Sequence, residues 1–351
     1  MTSLLTRRRL LLAGLAGSAA LAAGCAVRVR TTNSDGTPFD DARRSEQPQL
    51  RIARDGYALV DADWTDAARG RAVPVRLYLP LTGDGPRPLV LFSHGLGGSR
   101  RGYSYLGSHF ARHGIASLHV QHVGSDRAIW GGSPFELATR MAAAAQDGEA
   151  LARVADLRFA LDRMLALSPD DPLYVPVDAR RIVAAGHSYG ANTALLATGA
   201  QVKRDGSVVD LRDARIAAAI LLSAPPFYGE SMLDPILRPV TVPTLHVTAT
   251  ADDIRIPGYA SGVADRIAVF EATGSAMKAL AVFEGGSHSI FTDRTATGGA
   301  ELNAQVKRAT QELALAFLDS AFDRRHEALA RWRDRHRGIV ARFSKMPAVL
   351  A

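Results

Sequence analysis

Arg181-Ile182-Val183-Ala184-Ala185 runs without a break into Gly186-His187-Ser188-Tyr189-Gly190, and the helix-forming stretch Ala191 to Ala197 follows. Four β-favouring or small apolar residues after Arg181, a turn with glycine on both sides of a serine, and an alanine-rich helix make a strand–turn–helix unit with the pattern G-x-S-x-G at its corner. The chemistry explains the glycines. A serine raised at the apex of a sharp turn needs strained backbone, and a Cβ at either flank would strike the neighbouring strand or helix. Ser188 is therefore the candidate nucleophile, and a plain structural turn is the alternative.

Working outward, short apolar runs alternate with helical stretches. Tyr57 to Trp64 and Val73 to Leu79 read as strands, Pro88 to Phe92 as a central strand buried on both faces, and Ile115 to Val120 as the next. Arg181 to Ala185, Ile216 to Ser223, Thr244 to Thr248 and Ala279 to Glu284 complete eight. Helices are expected at Tyr103 to Arg112, Glu136 to Leu167 with a break near Asp147-Gly148, Tyr259 to Thr273, and Glu301 to Phe322. This alternation implies an α/β fold, with a mostly parallel sheet of about eight strands and helices on both faces.

The partners of a serine nucleophile follow it in the order acid, then histidine, each in a loop after a later strand. After Thr244 to Thr248 comes Ala249-Thr250-Ala251-Asp252-Asp253, and after Ala279 to Glu284 comes Gly285-Gly286-Ser287-His288-Ser289. His288 is the candidate general base; His246, inside a strand, reads as packed. Asp252 and Asp253 both sit where the acid is needed. Ser93-His94-Gly95-Leu96-Gly97-Gly98 follows the central strand and resembles a His-Gly oxyanion motif. Its backbone N–H at Leu96, with that of Tyr189 after the nucleophile, would face a developing oxyanion.

With these motifs the chain resembles the α/β-hydrolase superfamily over residues 57–322. Within that superfamily, Phe92-Ser93-His94-Gly95 to Gly124-Ser125-Asp126, with Asp156-Leu157-Arg158-Phe159, is similar to bacterial dienelactone-hydrolase-like proteins and platelet-activating-factor acetylhydrolases. The resemblance implies a carboxylic ester hydrolase with a Ser-Asp-His triad, a small-molecule or lipid ester as substrate, and no metal or organic cofactor. Relatives reading Gly-Thr-x-Asp align with Ala249-Thr250-Ala251-Asp252 and favour Asp252, whereas counting back from Pro257 favours Asp253; Asp252 is preferred. True dienelactone hydrolases carry cysteine where this chain has Ser188, which puts carboxylesterase or lipase-like activity ahead. An acyltransferase using the same triad and a non-catalytic binding protein on the same fold are the alternatives.

The first 24 residues read as an export signal: Arg7-Arg8-Arg9 precedes the apolar run Leu10 to Ala23, too short to span a bilayer, and the paired arginines resemble a twin-arginine signal. Leu21-Ala22-Ala23-Gly24-Cys25 resembles a lipobox, so Cys25, the only cysteine, is the candidate lipidation site and membrane anchor. An exported protein, periplasmic or held at the cell envelope, is expected, with secretion as the alternative. Residues 25–50 read as a flexible tether, 51–322 as the catalytic domain, and 323–351 as a charged helical extension.

At 351 residues, 47% hydrophobic and 22% charged, the composition is that of a globular domain. Of the formal +7 charge, three units are Arg7, Arg8 and Arg9, and a chain starting at Cys25 holds 39 basic against 35 acidic residues. No basic stripe interleaved with aromatics crosses the remainder, so nucleic-acid binding is not expected. His109 and His113 lie four apart on a helix, but Phe110 stands where a zinc protease needs glutamate. His119 and His122 straddle a strand end near the expected pocket, and packing is the favoured role for each. Trp130-Gly131-Gly132-Ser133-Pro134-Phe135 reads as a pocket wall, a mobile lid or a plain surface loop.

Overall fold

The computed structural model describes residues 49–52, 56–230, 232–256, 259–295 and 297–345. The expected export signal, Cys25 and nearly all of the tether lie outside them. The first half runs through β1 (Gln49–Ile52), β2 (Tyr57–Asp66), β3 (Arg71–Pro80), β4 (Arg87–Ser93), α1 (Ser104–Arg112), β5 (Ala116–Val120), α2 (Leu137–Ala144) and α3 (Asp147–Leu165). Next come β6 (Val177–His187), α4 (Tyr189–Ala197), β7 (Gln201–Arg204), β8 (Ser207–Asp210), β9 (Ile216–Leu222), α5 (Asp234–Leu237) and β10 (Thr244–Ala251). The remainder is β11 (Ile254–Ile256), β12 (Tyr259–Ser261), α6 (Val263–Ala272), β13 (Lys278–Ser287), α7 (Ala300–Asp323), α8 (Glu327–Arg335) and β14 (Val340–Lys345).

Ten strands form one sheet in the order β1-β2-β3-β5-β4-β6-β9-β10-β13-β14. The six from β5 to β13 pair in parallel, while β1, β2 and β3 at one edge and β14 at the other pair antiparallel. This is the α/β-hydrolase fold expected from the sequence. Its centre is apolar throughout because neighbouring side chains serve opposite faces. Leu89 and Leu91 of β4 join Ile182 and Ala184 of β6 under α3 and α4, where Val154, Leu157, Leu161 and Leu195 cover them. Val90 and Phe92, with Val183 and Ala185, face the other way, under Leu106 and Phe110 of α1 and Val306, Leu313 and Phe317 of α7. Each fully buried leucine or phenylalanine contributes roughly 1.5–3 kcal/mol by leaving water.

The sheet has ten strands rather than about eight because both edges extend past the expected domain. β1 pairs with β2, so the last two residues of the expected tether belong to the sheet. The extension after residue 322 is not wholly helical: α8 is a helix, but Val340–Lys345 adds an edge strand against β13. Trp332 explains the docking of α8. It is buried, its Nε1–H donates to the Ala309 carbonyl at 2.9 Å, and its ring lies 5.2 Å from that of Phe343 on β14. Tyr259 to Thr273 is likewise not one helix. β12 pairs with β11, and α6 starts only after Gly262, whose N–H donates to Asp265 Oδ2 at 2.9 Å. The break in the long Glu136 to Leu167 stretch falls at 145–146, just before α3.

Candidate active site

At the carboxyl end of β6 the chain turns sharply into α4, with Ser188 at the corner at positive φ (φ 55°, ψ −122°). Such backbone costs a non-glycine residue on the order of 1–3 kcal/mol, and surrounding structure must hold it there. The Ser188 N–H donates to the Leu222 carbonyl at 2.9 Å, tying the corner to β9. The flanking glycines are steric necessities: a Cβ on Gly186 would lie 2.2 Å from the Gly190 carbonyl oxygen, and one on Gly190 would lie 1.9 Å from the Ser93 carbonyl oxygen. Both obstacles are backbone and cannot swing away. Gly190→Ala is therefore expected to cost about 3 kcal/mol or more. A thermal melt checks this, and a wild-type melting temperature in the variant would contradict the steric argument.

His288 follows β13 in a single 3-10 turn, and its Nε2 lies 2.9 Å from Ser188 Oγ. Its Nδ1–H donates to Asp252 Oδ1 at 2.7 Å, which leaves Nε2 free to accept the Ser188 proton. Asp252 is wholly buried, whereas the Asp253 side chain is more than half exposed, 4.0 Å from Arg255. Of the two sequence candidates for the acid, the fold brings only Asp252 to the histidine. Burial on its own would raise the Asp252 pKa. The hydrogen bond and charge of His288, then Arg266 and the Ser223 hydroxyl, outweigh it and hold the carboxyl below its ordinary value.

Three further residues complete this carboxylate's surroundings, and sequence reasoning missed all of them. Thr248 Oγ1–H donates to Asp252 Oδ2 at 2.7 Å, and Arg266 Nη2 lies 3.7 Å from Oδ1. Ser223, just past β9 with φ 54°, donates its hydroxyl to Asp252 Oδ2, and its oxygen lies 2.8 Å from His288 Nδ1. Only Arg266 left a trace in the sequence, as a charged residue on the buried side of an amphipathic helix.

The turn after β4 packs Gly95, the residue before Leu96, against the elbow: a Cβ on it would lie 3.4 Å from Ser188 Cβ. Among the described residues, the amides of Leu96 and Tyr189 have no acceptor. A buried imidazole organises this turn. His94 Nδ1–H donates to the Gly95 carbonyl at 2.7 Å, and His94 Nε2 accepts the His122 N–H at 3.1 Å. Burial, then Arg153 and His122, push the His94 pKa well below its ordinary value, so the ring is neutral and this tautomer is fixed. The Gly95 carbonyl and the Leu96 N–H share one peptide unit, so His94 orients that amide. His187 ties the turn to the histidine loop. Tyr103 accepts the Gly95 N–H at 3.3 Å and donates to His187 Nδ1 at 2.8 Å, and His187 Nε2–H donates to the His288 carbonyl at 3.0 Å. Burial draws the His187 pKa down to about 3, which keeps that ring neutral too.

Four further histidines make ring contacts away from the triad. His119 is buried and stacks on Phe92, His246 meets Phe270 edge-on, and His109 of α1 lies against His113 just past the helix end. His122 supports the turn from below: its Nε2 accepts the Ser93 hydroxyl at 2.9 Å and its Nδ1–H donates to Asp156 at 3.1 Å. Trp130 is half exposed and pinned to the same turn through Nε1–H to the Gly97 carbonyl at 2.8 Å, while Phe135 is free in solvent. Among the described residues, no His, Cys, Asp or Glu cluster is arranged to hold a metal ion.

Asp293, after the histidine turn, is buried and accepts the Ser104 N–H at 3.0 Å. Burial raises its pKa to about 6, although the Ser104 hydrogen bond and Lys307 oppose the shift. A carboxyl whose folded pKa is raised lends stability below its unfolded pKa and loses it as pH rises through the folded value. Asp293→Asn keeps an acceptor for Ser104 without the charge. Relative to wild type it is expected to gain on the order of 2 kcal/mol between pH 4 and pH 7. Denaturant unfolding at both pH values checks this, and an equal difference at the two would contradict it.

Residues 67–131 match the family model for platelet-activating factor acetylhydrolase, isoform II. The span covers β3 to β5, the turn bearing Leu96, and Trp130. No curated protein matches the chain. The chain thus has the α/β-hydrolase fold and, over residues 67–131, is similar to platelet-activating factor acetylhydrolase, isoform II.

Proposed function

We propose that the protein hydrolyses carboxylic esters through an acyl-enzyme on Ser188. The observation that carries the reading is the unbroken path from Ser188 Oγ through His288 to buried Asp252, beside two unengaged amides. Ser188 Oγ attacks the ester carbonyl as His288 Nε2 takes its proton, and the oxyanion of the tetrahedral intermediate is held by the Leu96 and Tyr189 amides. The carbon–oxygen bond to the leaving alcohol breaks as His288 returns the proton to it. Water, activated by His288 in the same way, then attacks the acyl carbon and releases the acid and free Ser188. Asp252 holds the imidazole in the required tautomer and stabilises the imidazolium. Arg266, Thr248 and Ser223 keep Asp252 ionised and aimed.

The half-exposed Trp130 gives a bound ester an apolar wall beside the two amides. Lipidation at Cys25 and export through the Arg7-Arg8-Arg9 segment belong to the same reading, since an envelope anchor would hold the enzyme near hydrophobic esters. The test is turnover of p-nitrophenyl esters of increasing acyl length, with and without an acceptor alcohol. Release of free acid is expected, at a rate that depends on chain length. Transesterified product as the dominant outcome would make the protein an acyltransferase, and no turnover of any ester would contradict the proposal.

A further inference from the structure

Arg153 of α3 is wholly buried, and among the described residues it makes no ion pair with any carboxylate. A guanidinium in that position is costly unless its hydrogen bonds repay the lost hydration. Three of its four bonds lead to the elements that carry the two free amides, and the fourth goes to Ser125 after β5. Nη2 donates to the His94 carbonyl and, at 3.0 Å, to Ser93 Oγ; Nη1 donates to Ser125 Oγ at 2.7 Å. Nε donates to Thr193 Oγ1 at 3.0 Å, and Thr193 in turn donates to the Tyr189 carbonyl. The guanidinium also lies over the Tyr189 ring, 4.4 Å from its centroid. Carboxylates reach it only by relay, Glu149 through the Ser125 hydroxyl at 2.7 Å and Asp156 through His122 and Ser93.

We propose that Arg153 is a positioning residue for the oxyanion: it clamps the Ser93–Gly95 turn to the first turn of α4 and sets a positive charge, with no carboxylate in direct contact, behind both donor amides. This rests on the reading of Ser188 as nucleophile and of Leu96 and Tyr189 as donors. Burial draws the Arg153 pKa down only to about 10, against which Tyr189, Glu149 and Asp156 act, so the side chain is a cation at neutral pH. In a low-dielectric interior such a charge favours the tetrahedral state, where the substrate oxygen becomes negative, over the neutral bound ester. The effect therefore belongs in kcat and leaves KM nearly unchanged.

The experiment compares wild type, Arg153→Met, Arg153→Lys and Ser188→Ala in ester turnover and in inhibition by phenylboronic acid, whose adduct on a serine is a tetrahedral anion. Arg153→Met is expected to lose roughly 10²-fold in kcat with KM preserved, and boronate affinity is expected to fall in step. Arg153→Lys, which keeps the charge but not the planar fork, is expected to recover most of both. If the methionine variant does not fold, the lysine variant decides alone: near-wild-type kcat and boronate affinity are the expected result. A folded lysine variant as impaired as a folded methionine variant, or losing roughly 10²-fold by itself, would mean a structural clamp with no role for the charge, and so would a methionine variant whose loss lies in KM. If Ser188→Ala is inactive while Arg153→Met turns over like wild type, this inference alone falls. If Ser188→Ala remains active, the nucleophile assignment falls and takes this one with it.

Discussion

Ser188→Ala is expected to lower kcat by roughly 10⁵–10⁶-fold, the loss typical of removing a triad nucleophile, and to leave the remaining turnover to the amides and substrate binding. No neighbouring hydroxyl is placed to substitute. Ser223 donates to Asp252 and sits by His288 Nδ1, on the side of the ring away from Ser188. The substitution leaves the packing intact, because Ser188 and alanine place the same Cβ at a corner whose crowding comes from Gly186 and Gly190. The melting temperature is therefore expected to stay close to that of wild type. Loss of activity together with loss of folding would not support the nucleophile assignment; loss of activity in a protein that melts normally would.

The second large effect separates two adjacent aspartates. Asp252→Asn is expected to lose roughly 10⁴-fold in kcat, because an amide can no longer select the Nδ1–H tautomer of His288 or stabilise its imidazolium. Asp253→Asn, altering an exposed side chain 4.0 Å from Arg255, is expected to change kcat by no more than about twofold. Stability should separate them as well. The depressed pKa of Asp252 contributes stability that is complete above the ordinary carboxylate value and is lost progressively as pH falls from there toward the lower folded value. Asp252→Asn also strands the buried Arg266, so it is expected to be the less stable variant at pH 7, with the gap narrowing in acid. Equal kinetics in the two variants would contradict the assignment of the acid.

The parts legible in the sequence are those whose physics is local. Pro88 to Phe92 reads as a central strand because both faces of a parallel sheet are covered, so no polar alternation interrupts it. Gly186 and Gly190 announce the elbow because nothing larger fits, and Gly286 lies before His288 with Ala249 and Ile290 packed against it. What stayed hidden depends on distant partners. β1 and β14 are short edge strands with charged residues, and their pairing is decided by a neighbouring edge rather than by their own pattern. The three residues of β12 carry no period of their own, so the helical pattern of Tyr259 to Thr273 runs over them. Asp252 and Asp253 are chemically identical neighbours, so a resemblance favours Asp252 over Asp253 and the fold separates them by burying Asp252 against His288. Arg153 and Ser93 are 60 residues apart, and Ser223 and His288 are 65 apart, so no spacing rule pairs them.

The most direct test of the central claim is to treat the protein with a fluorophosphonate and map the modified peptide by mass spectrometry. The expected result is a single adduct on Ser188, abolished in Ser188→Ala and strongly slowed in His288→Ala. An adduct on another residue, such as Ser223 or Ser287, or none in a folded and ester-cleaving protein, would contradict it.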